Sequence, residues 1–225
     1  PAIPPLLRIF QKENLPVIIQ SDGLHLEGFD QVLSDHSAGA YDLTKWLIKK
    51  GRKRILRLWE IPLDGSFPGW LAERDEGFEK ASREANIEPL PALQVRNPLV
   101  KTEQAHEFEL MTNLVAGHLG KLMTEGGKFD AIITTTDGHV PHICAALRQL
   151  GITPGSDVLV AGYDDYWSDV PEQAWENTPP AATVNKLNRS LGTAMVEVLQ
   201  ERLEHPLVTE LICRKVRPEL KITSS

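Results

Sequence analysis

Acidic and aromatic side chains follow four of the strands that the sequence predicts. A carboxylate accepts two hydroxyl hydrogen bonds at once, and an indole or phenol ring packs against the apolar face of a pyranose. An acid after a strand can instead cap the next helix, as Asp35 and Asp137 could, and for each acid alone the two alternatives are equal. Four such sites together favour a polyhydroxylated ligand. In chain order, the four sites are Ser34-Asp35-His36, Trp59-Glu60, Thr136-Asp137 and Tyr163-Asp164-Asp165-Tyr166-Trp167.

Trp70 and Arg74 are four residues apart on a predicted helix, so they share a face. An arginine fork beside an indole could clamp hydroxyls or a carboxylate. The alternative is a solvated helix on which Arg74 pairs with Glu73, Asp75 or Glu76. Judged from the local sequence alone, the solvated helix is favoured.

The sequence offers little for catalysis. Ser34, Asp35 and His36 are chain neighbours and cannot form a nucleophile-base relay by adjacency, and no GxSxG elbow is present. The chain also lacks the GxGxxG and GxxxxGK[ST] phosphate-binding patterns. We therefore predict a protein that is not an enzyme and uses no cofactor.

His139 and His142 flank Pro141 at the HxxH spacing of a helical metal site. Asp164, Asp165 and Asp169 could add carboxylate ligands. The first turn of an ordinary helix is the favoured interpretation of the two histidines, so no metal is predicted.

The 225 residues predict one large unit or two closely joined subdomains. Hydrophobic residues make up 41% and charged residues 24%, which excludes a disordered, collagen-like or disulfide-dense chain. The net charge of −7 repels phosphate backbones, so direct nucleic-acid binding is not expected. Cys144 and Cys213 fit reduced thiols in a cytoplasmic protein better than a disulfide. No segment approaches the roughly 18 apolar residues of a membrane span.

The spacing of the apolar residues predicts alternating strands and helices over most of the chain. Such alternation favours an α/β fold with parallel sheets and right-handed helical crossovers. Ligands of these sheets lie outside the carboxyl ends of the strands. Strands are predicted at 16–20, 31–34, 55–61, 90–95, 131–135, 158–163, 210–214 and 219–223, and helices near 6–10, 39–47, 70–85, 108–122, 139–150 and 187–199.

Five segments, in the same order, resemble the effector-binding core of the lactose and galactose repressor (LacI/GalR) family. The most specific is FDAIITTTDGHVPHICAALRQLGITPGSDVLVAGYDD, which is similar to that family's strand, Asn-Asp or Thr-Asp, helix, Gly turn and Gly-Tyr-Asp-Asp block. The others are FDQVLSDHSAGAYDLTKWLIKKGRKRILRL, ERDEGFEKASREANI, TPPAATVNKLNRSLGTAMVEVLQ and PELKITSS.

The resemblance implies a periplasmic-binding-protein-like fold with two parallel-sheet subdomains, joined by chain crossings, around a ligand cleft. Compared with the family core, the amino-terminal subdomain is incomplete, because this sequence has no counterpart of the core's first strands or of the helix-turn-helix head that precedes them. We therefore expect a portion of a longer regulator, with an open apolar sheet edge. The expected division is 1–52 for part of the amino-terminal subdomain, 53–177 for the carboxyl-terminal subdomain, 178–208 for a return to the first and 209–225 for a return to the second.

The resemblance also implies ligand-binding residues. Asp35, Arg74, Thr136 and Asp164 match ligand-contacting positions of the family, and Asp137 beside Thr136 orients or contacts the ligand. Asn188 is polar at a cleft position where an aromatic residue is common. Tyr166 or Trp70 would stack on the ligand. Trp167 and Trp175, in an insertion-like segment, are either cleft aromatics or surface packing.

The expected function is that of the effector-sensing domain of a transcription regulator, which binds a sugar-like ligand without catalysis. The resemblance implies a cytoplasmic homodimer that reaches operator DNA only through an absent helix-turn-helix head and has no membrane partner. A sugar-binding receptor of a transport system is the alternative. A sugar hydrolase is a third possibility, suggested only by the Asp164-Asp165 pair.

Overall fold

Helices and short strands alternate through the computed structural model, which describes residues 5–13, 15–21, 26–98, 103–205 and 210–223. No helix among these residues has the length and apolar character needed to cross a membrane. The helices are α1 (Pro5–Lys12), α2 (His36–Lys49), α3 (Gly69–Glu84), α4 (Gln104–Thr124), α5 (Val140–Gln149) and α6 (Asn188–Glu204). The strands are β1 (Ile18–Ile19), β2 (Asp30–Ser34), β3 (Ile55–Pro62), β4 (Leu93–Asn97), β5 (Ala131–Thr134), β6 (Leu159–Ala161), β7 (Ala182–Asn185), β8 (Cys213–Val216) and β9 (Glu219–Ile222).

Four parallel strands in the order β4-β3-β5-β6 form what we call the large sheet. β7 continues this sheet beyond β6, because the Gly162 amide donates to the Ala182 carbonyl (2.9 Å) and the Asp164 amide donates to the Val184 carbonyl (2.8 Å). β9 then pairs antiparallel with β7. The carboxyl ends of β3, β4, β5 and β6 therefore lie along one edge.

Helices cover both faces of the large sheet, because its strands are apolar on both sides. On one face, α2 and α3 bury Leu43, Leu47, Leu71 and Phe78 against Trp59 and Ile61 of β3. On the other face, α4 and α5 bury Val115, Leu119, Ile143 and Leu147 against Leu56 and Leu58 of β3. Each fully buried side chain of this kind contributes about 1.5–3 kcal/mol.

Three parallel strands in the order β1-β2-β8 form the small sheet, which α6 covers with an apolar cluster that includes Val32 and Val198. A bidentate ion pair joins α6 to this sheet. The Arg202 guanidinium donates to both carboxylate oxygens of Asp30 (2.6 and 2.7 Å), and the Ile212 amide donates to the same carboxylate (2.8 Å). Two-point geometry of this kind fixes orientation as well as position.

The α/β class with parallel sheets is confirmed, but several strands are shorter than predicted or shifted along the chain. β4 begins at Leu93 instead of residue 90, because Pro89 and Pro91 supply no amide hydrogens for a strand ladder. β8 begins at Cys213 instead of residue 210. The Glu210 carbonyl accepts from Arg202 (2.8 Å), so the start of that segment is held by the ion pair.

The position of the subdomain boundaries stays a prediction. Three elements contact parts of the chain that the expected division assigns to the other subdomain. α2, in the 1–52 segment, packs against α3 and the large sheet. β7, in the 178–208 segment, continues the large sheet, and β8, in the 209–225 segment, pairs with β2 of the small sheet. Chain order predicts that these strands exist, but their pairing depends on contacts between residues far apart in sequence.

Candidate ligand-binding site

Arg74 is buried, with 2% of its surface exposed, at the edge where the strands of the large sheet end. Its guanidinium carbon lies 3.4 Å from the centre of the Tyr163 ring and 4.4 Å from that of Trp70. Nη1 donates to the Thr135 carbonyl (2.7 Å), and Nε donates to Nδ1 of His36 (3.4 Å). Desolvated cation-π contacts are worth about 2 kcal/mol each, so this guanidinium is firmly held.

The favoured interpretation of Arg74 as a solvated helix residue is therefore wrong. Asp75, one of its three proposed partners, instead accepts from Arg57 (2.8 Å) and from the Trp59 indole (3.0 Å). Glu73, the second, pairs with Lys215 at 3.7 Å. The neighbouring sequence shows acidic residues that could pair with Arg74. It does not show that α3 turns the Arg74 side chain toward α2, where it contacts His36.

Tyr163 is fully buried beneath this arginine, and its hydroxyl donates to the His36 carbonyl (3.4 Å). Burial, opposed by the Arg74 guanidinium and aided by the carboxylates of Asp164 and Asp35, raises the pKa of Tyr163 to about 12. Asp164 follows Tyr163 in the chain and Asp35 precedes His36, so each acid is next to a residue that contacts Arg74. Gly39 makes room for the Tyr163 hydroxyl, which a Cβ at that position would overlap.

Asp137 is fully buried and joins the ends of β5 and β6. Its amide donates to the Tyr163 carbonyl (2.8 Å), and its carboxylate accepts from the Tyr166 amide (3.0 Å). Burial raises the pKa of Asp137 to about 6, although hydrogen bonds from the Thr183 side chain and the Tyr166 amide to the carboxylate lower it. Of the two expected roles, the geometry favours orienting the surrounding loops.

Thr136 and Tyr166 are in direct contact. The Thr136 hydroxyl and the Gly138 amide both donate to the Tyr166 hydroxyl oxygen, at 2.9 and 3.0 Å. A Cβ at residue 138 would overlap that oxygen, so glycine is required for this approach. The phenol is thereby fixed at the strand ends, against the short 3-10 turn Asp137–His139.

Asp164 and Asp165 adopt left-handed backbone conformations, with φ of 85° and 54°. Such a conformation costs a non-glycine residue about 1–3 kcal/mol and is concentrated at functional sites. Asp164 is half-buried and lies 3.1 Å from Nζ of Lys186. The Asn185 side chain donates to Asp165 (2.6 Å), which fixes the crossing from β7 to α6.

Asp35, Trp70 and Asn188 complete the predicted set. Asp35 caps α2, accepting a hydrogen bond from the Ala38 amide (2.9 Å), so the capping role is present. Trp70 is half-buried with its ring 6.0 Å from that of His36. Asn188 is exposed at the start of α6. The structure thus gathers Asp35, Trp70, Arg74 and Asp164 around His36 and Tyr163, with Thr136, Asp137 and Tyr166 along the adjoining strand ends.

His139 and His142 lie at the start of α5, as expected, but they also contact a buried carboxylate. Nε2 of His142 hydrogen-bonds to Glu60, and Nε2 of His139 lies 3.3 Å from its other oxygen. Within the described ranges, no three His, Cys, Asp or Glu side chains are arranged to hold a metal ion.

The two additional tryptophans pack on the α4/α5 side of the large sheet. Trp167 contacts the apolar cluster there, and Trp175 is 43% exposed while its ring stacks on Phe108 at 5.4 Å. These contacts favour surface packing for Trp175.

Four residues of this region had no predicted role of their own: His36, Glu60 and Tyr163, which belong to the predicted strand-end sites, and Lys186, which does not. The first three follow or end predicted strands, and that position was their only signal. Lys186 had none, because its partner Asp164 belongs to a different strand end.

Residues 44–221 match the family described as periplasmic binding protein-like domain. The HTH-type transcriptional repressor PurR of Actinobacillus pleuropneumoniae serotype 3 (strain JL03) is 30% identical over 203 residues, covering 88% of this chain and 53% of that protein. The ribose operon repressor of Haemophilus influenzae is 26% identical over 196 residues, covering 86% and 52%. The chain spans about half the length of these curated relatives.

Solved structures show the same fold. A LacI family transcriptional regulator from Enterococcus faecium with bound ribose gives a TM-score of 0.68 at 16% identity, covering 96% of this chain and 72% of that one. The transcriptional regulator CelR in complex with cellobiose gives 0.70 at 20% identity, covering 97% and 61%. Together with the sequence matches, these likenesses confirm the predicted resemblance to LacI-type effector-binding cores. The chain belongs to the family of periplasmic binding protein-like domains.

Proposed function

We propose that this chain is the effector-sensing core of a LacI-type transcription regulator and binds a small sugar-like ligand without catalysis. The observation that carries the proposal is the arginine fixed between two aromatic rings at the strand ends, where Asp164 adjoins Tyr163 and Asp35 adjoins His36. The relatives named above are repressors, which favours a regulator over a transport receptor.

The ligand would lie between the two sheets. Asp35 follows β2 of the small sheet, whereas Arg74, Thr136 and Asp164 stand at the edge of the large sheet. Carboxylates accept hydroxyl hydrogen bonds, the Thr136 hydroxyl adds a polar contact, and the Trp70 ring offers an apolar face for the sugar. Asp137 would hold the loops in place, and Tyr166 and Asn188 would border the ligand.

A ligand that contacts both sheets favours one angle between them over others. In the complete protein, this preference would change how a homodimer presents its operator-binding heads, so ligand and DNA affinities would be coupled. We propose a cytoplasmic homodimer in which the DNA-binding part lies outside this sequence.

A thermal-shift screen of the purified chain tests the proposal, with ribose, cellobiose, other sugars, sugar acids and nucleosides as ligands. A ligand at a hundred times its dissociation constant should add about 2.7 kcal/mol to the free energy of unfolding. Asp164→Asn should weaken the affinity for the sugar at least about tenfold, because it removes a charged hydrogen-bond acceptor. Asp169→Asn, an exposed neighbour, is the matched control. No response from any sugar, or equal responses from both variants, would contradict the proposed site.

A further inference from the structure

A cavity of about 350 Å³ opens on the α4/α5 side of the large sheet, opposite the face that holds Arg74. Its walls come from β3, the start of α4, the start of α5 and the segment after β6. Its size falls within the range of small-molecule sites. The lining residues used below are Glu60, Glu107, Phe108, Met111, His139, His142, Tyr166 and Glu172.

The inner wall of the cavity is a buried carboxylate. Only 2% of the Glu60 side chain is exposed. One of its oxygens hydrogen-bonds to His142, but the other, Oε2, accepts no hydrogen bond in the described part of the chain. Nε2 of His139 approaches that oxygen to 3.3 Å, while Nδ1 of the same ring is 2.5 Å from the Thr135 hydroxyl.

Acidic side chains outnumber basic ones around the cavity. Burial alone would raise the pKa of Glu60, but the two imidazoles outweigh it and lower the pKa below its ordinary value. Burial lowers the pKa of His139, and the Glu60 carboxylate opposes that effect. The lining carries three carboxylates and two imidazoles, with Glu107 and Glu172 nearer the solvent than Glu60. It contains no lysine or arginine among the residues that the structure describes.

The buried Glu60 carboxylate has an oxygen that accepts no hydrogen bond, and two further carboxylates lie in the same lining, so the cavity favours a positively charged ligand. The remaining walls combine the apolar or aromatic side chains of Phe108, Met111 and Tyr166 with the polar side chains of Asn97 and Gln104. Phe108 is braced by Trp175, the Tyr166 hydroxyl is fixed by Gly138, and Met111 is buried. Aromatic faces attract organic cations, and methylene groups pack on them. The described side chains lack a metal-ligand arrangement, so the chemistry suits an alkylammonium better than a metal ion.

We propose that this cavity is a second ligand site and that it takes a small aliphatic diamine. One ammonium group would lie toward Glu60, the other toward Glu107 and Glu172, with the methylene chain against Phe108 and Met111. The inference goes beyond the proposed effector function. Of the proposed effector residues, Tyr166 lines this cavity.

Isothermal titration of the full chain with butane-1,4-diamine tests the inference. Butane-1,4-diol and butanedioate, which have similar length but no positive charge, are the control ligands. The diamine should bind and the controls should not. Equal binding of the diol, or no binding of the diamine, would overturn the proposal, and so would binding of Zn²⁺ by a chain that ignores the diamine.

Two variants locate the site. Glu107→Gln should weaken diamine binding about threefold, because an exposed carboxylate contributes a screened attraction. Glu109→Gln changes an exposed acid of the same helix outside the cavity lining and should leave affinity unchanged. Glu60→Gln should weaken binding by about tenfold or more, with circular dichroism confirming the fold. Equal affinities for the Glu107 and Glu109 variants would overturn the placement.

The same titrations separate this inference from the proposed function. Asp164→Asn should retain diamine binding, because Asp164 does not line the cavity. A chain that binds the diamine but no sugar would contradict the proposed function alone. A chain that binds a sugar but no diamine would contradict the second site alone.

Discussion

The two faces of the large sheet bury charges of opposite sign with different partners. On the α2/α3 face, Arg74 is held by two aromatic rings and a backbone carbonyl. On the α4/α5 face, Glu60 is held by the imidazoles of His139 and His142. Arginine stays charged at any ordinary pH, whereas a carboxylate and imidazoles titrate. The α2/α3 face therefore buries a group whose charge is fixed, whereas the α4/α5 face buries groups that can gain or lose a proton.

The two faces meet at the end of β5. The Thr135 carbonyl accepts from Arg74 on one side, and the Thr135 hydroxyl contacts Nδ1 of His139 on the other. A change in either site that moves this residue would be transmitted to the other. The comparison can be tested by removing each feature in turn.

Replacing Arg74 should have the largest effect on the free energy of unfolding. Arg74→Ala should lower the free energy of unfolding by about 4 kcal/mol, because it leaves a cavity beneath Trp70 and an unpaired Thr135 carbonyl. Urea unfolding at neutral pH measures the loss. Arg189→Ala, at an exposed position on α6, should change it by less than about 0.5 kcal/mol. A loss of similar size in both variants would show that the buried guanidinium does not stabilise the α2/α3 face.

Asp137, between the two faces, should make stability fall as the pH rises. Its pKa is 3.8 when unperturbed and about 6 in the folded chain, so the native state retains a proton that the unfolded state loses between these values. This difference of roughly 2 pKa units removes up to about 3 kcal/mol by pH 7. Asp137→Asn cannot titrate, so its stability relative to the parent chain should be greater at pH 7 than at pH 4. Urea unfolding at the two pH values measures this, and a pH-independent difference would contradict the raised pKa.

Two glycines distinguish the packing of the two faces. At Gly77 of α3, a Cβ would overlap the Ser37 carbonyl oxygen of α2, so Gly77→Ala should cost about 2 kcal/mol. At Gly117 of α4, a Cβ meets nothing within 4 Å, and Gly117→Ala should add about 0.7 kcal/mol through helix propensity. Thermal unfolding measures both changes. A loss at Gly117 or a gain at Gly77 would contradict the described packing.

Much of the fold was predictable because it depends on local patterns. The buried stripe of α2, with Leu43 and Leu47 four residues apart, and the glycine that follows the helix at residue 51 with φ of 84° are visible in the sequence. Strand pairing was less predictable. β7 and β8 join different sheets although both lie near the end of the chain, because partners distant in sequence decide the pairing.

The candidate site was predictable only in part. The family resemblance identified Arg74 and Asp164. The local charge pattern alone predicted a solvated Arg74, because the Tyr163 ring that it contacts comes from a strand end about ninety residues further along the chain. The pairing of His142 with Glu60 was missed for the same reason. Sequence spacing shows neighbours on one helix, whereas both sites are assembled from separate elements of the large sheet.

A crystal structure of the chain with the best sugar from the thermal-shift screen would show directly where the ligand binds. We expect the sugar to lie between the two sheets, in contact with Arg74 and Asp164 on one side and Asp35 on the other. A sugar bound in the cavity beside Glu60, or one that contacts neither Arg74 nor Asp164, would contradict this expectation.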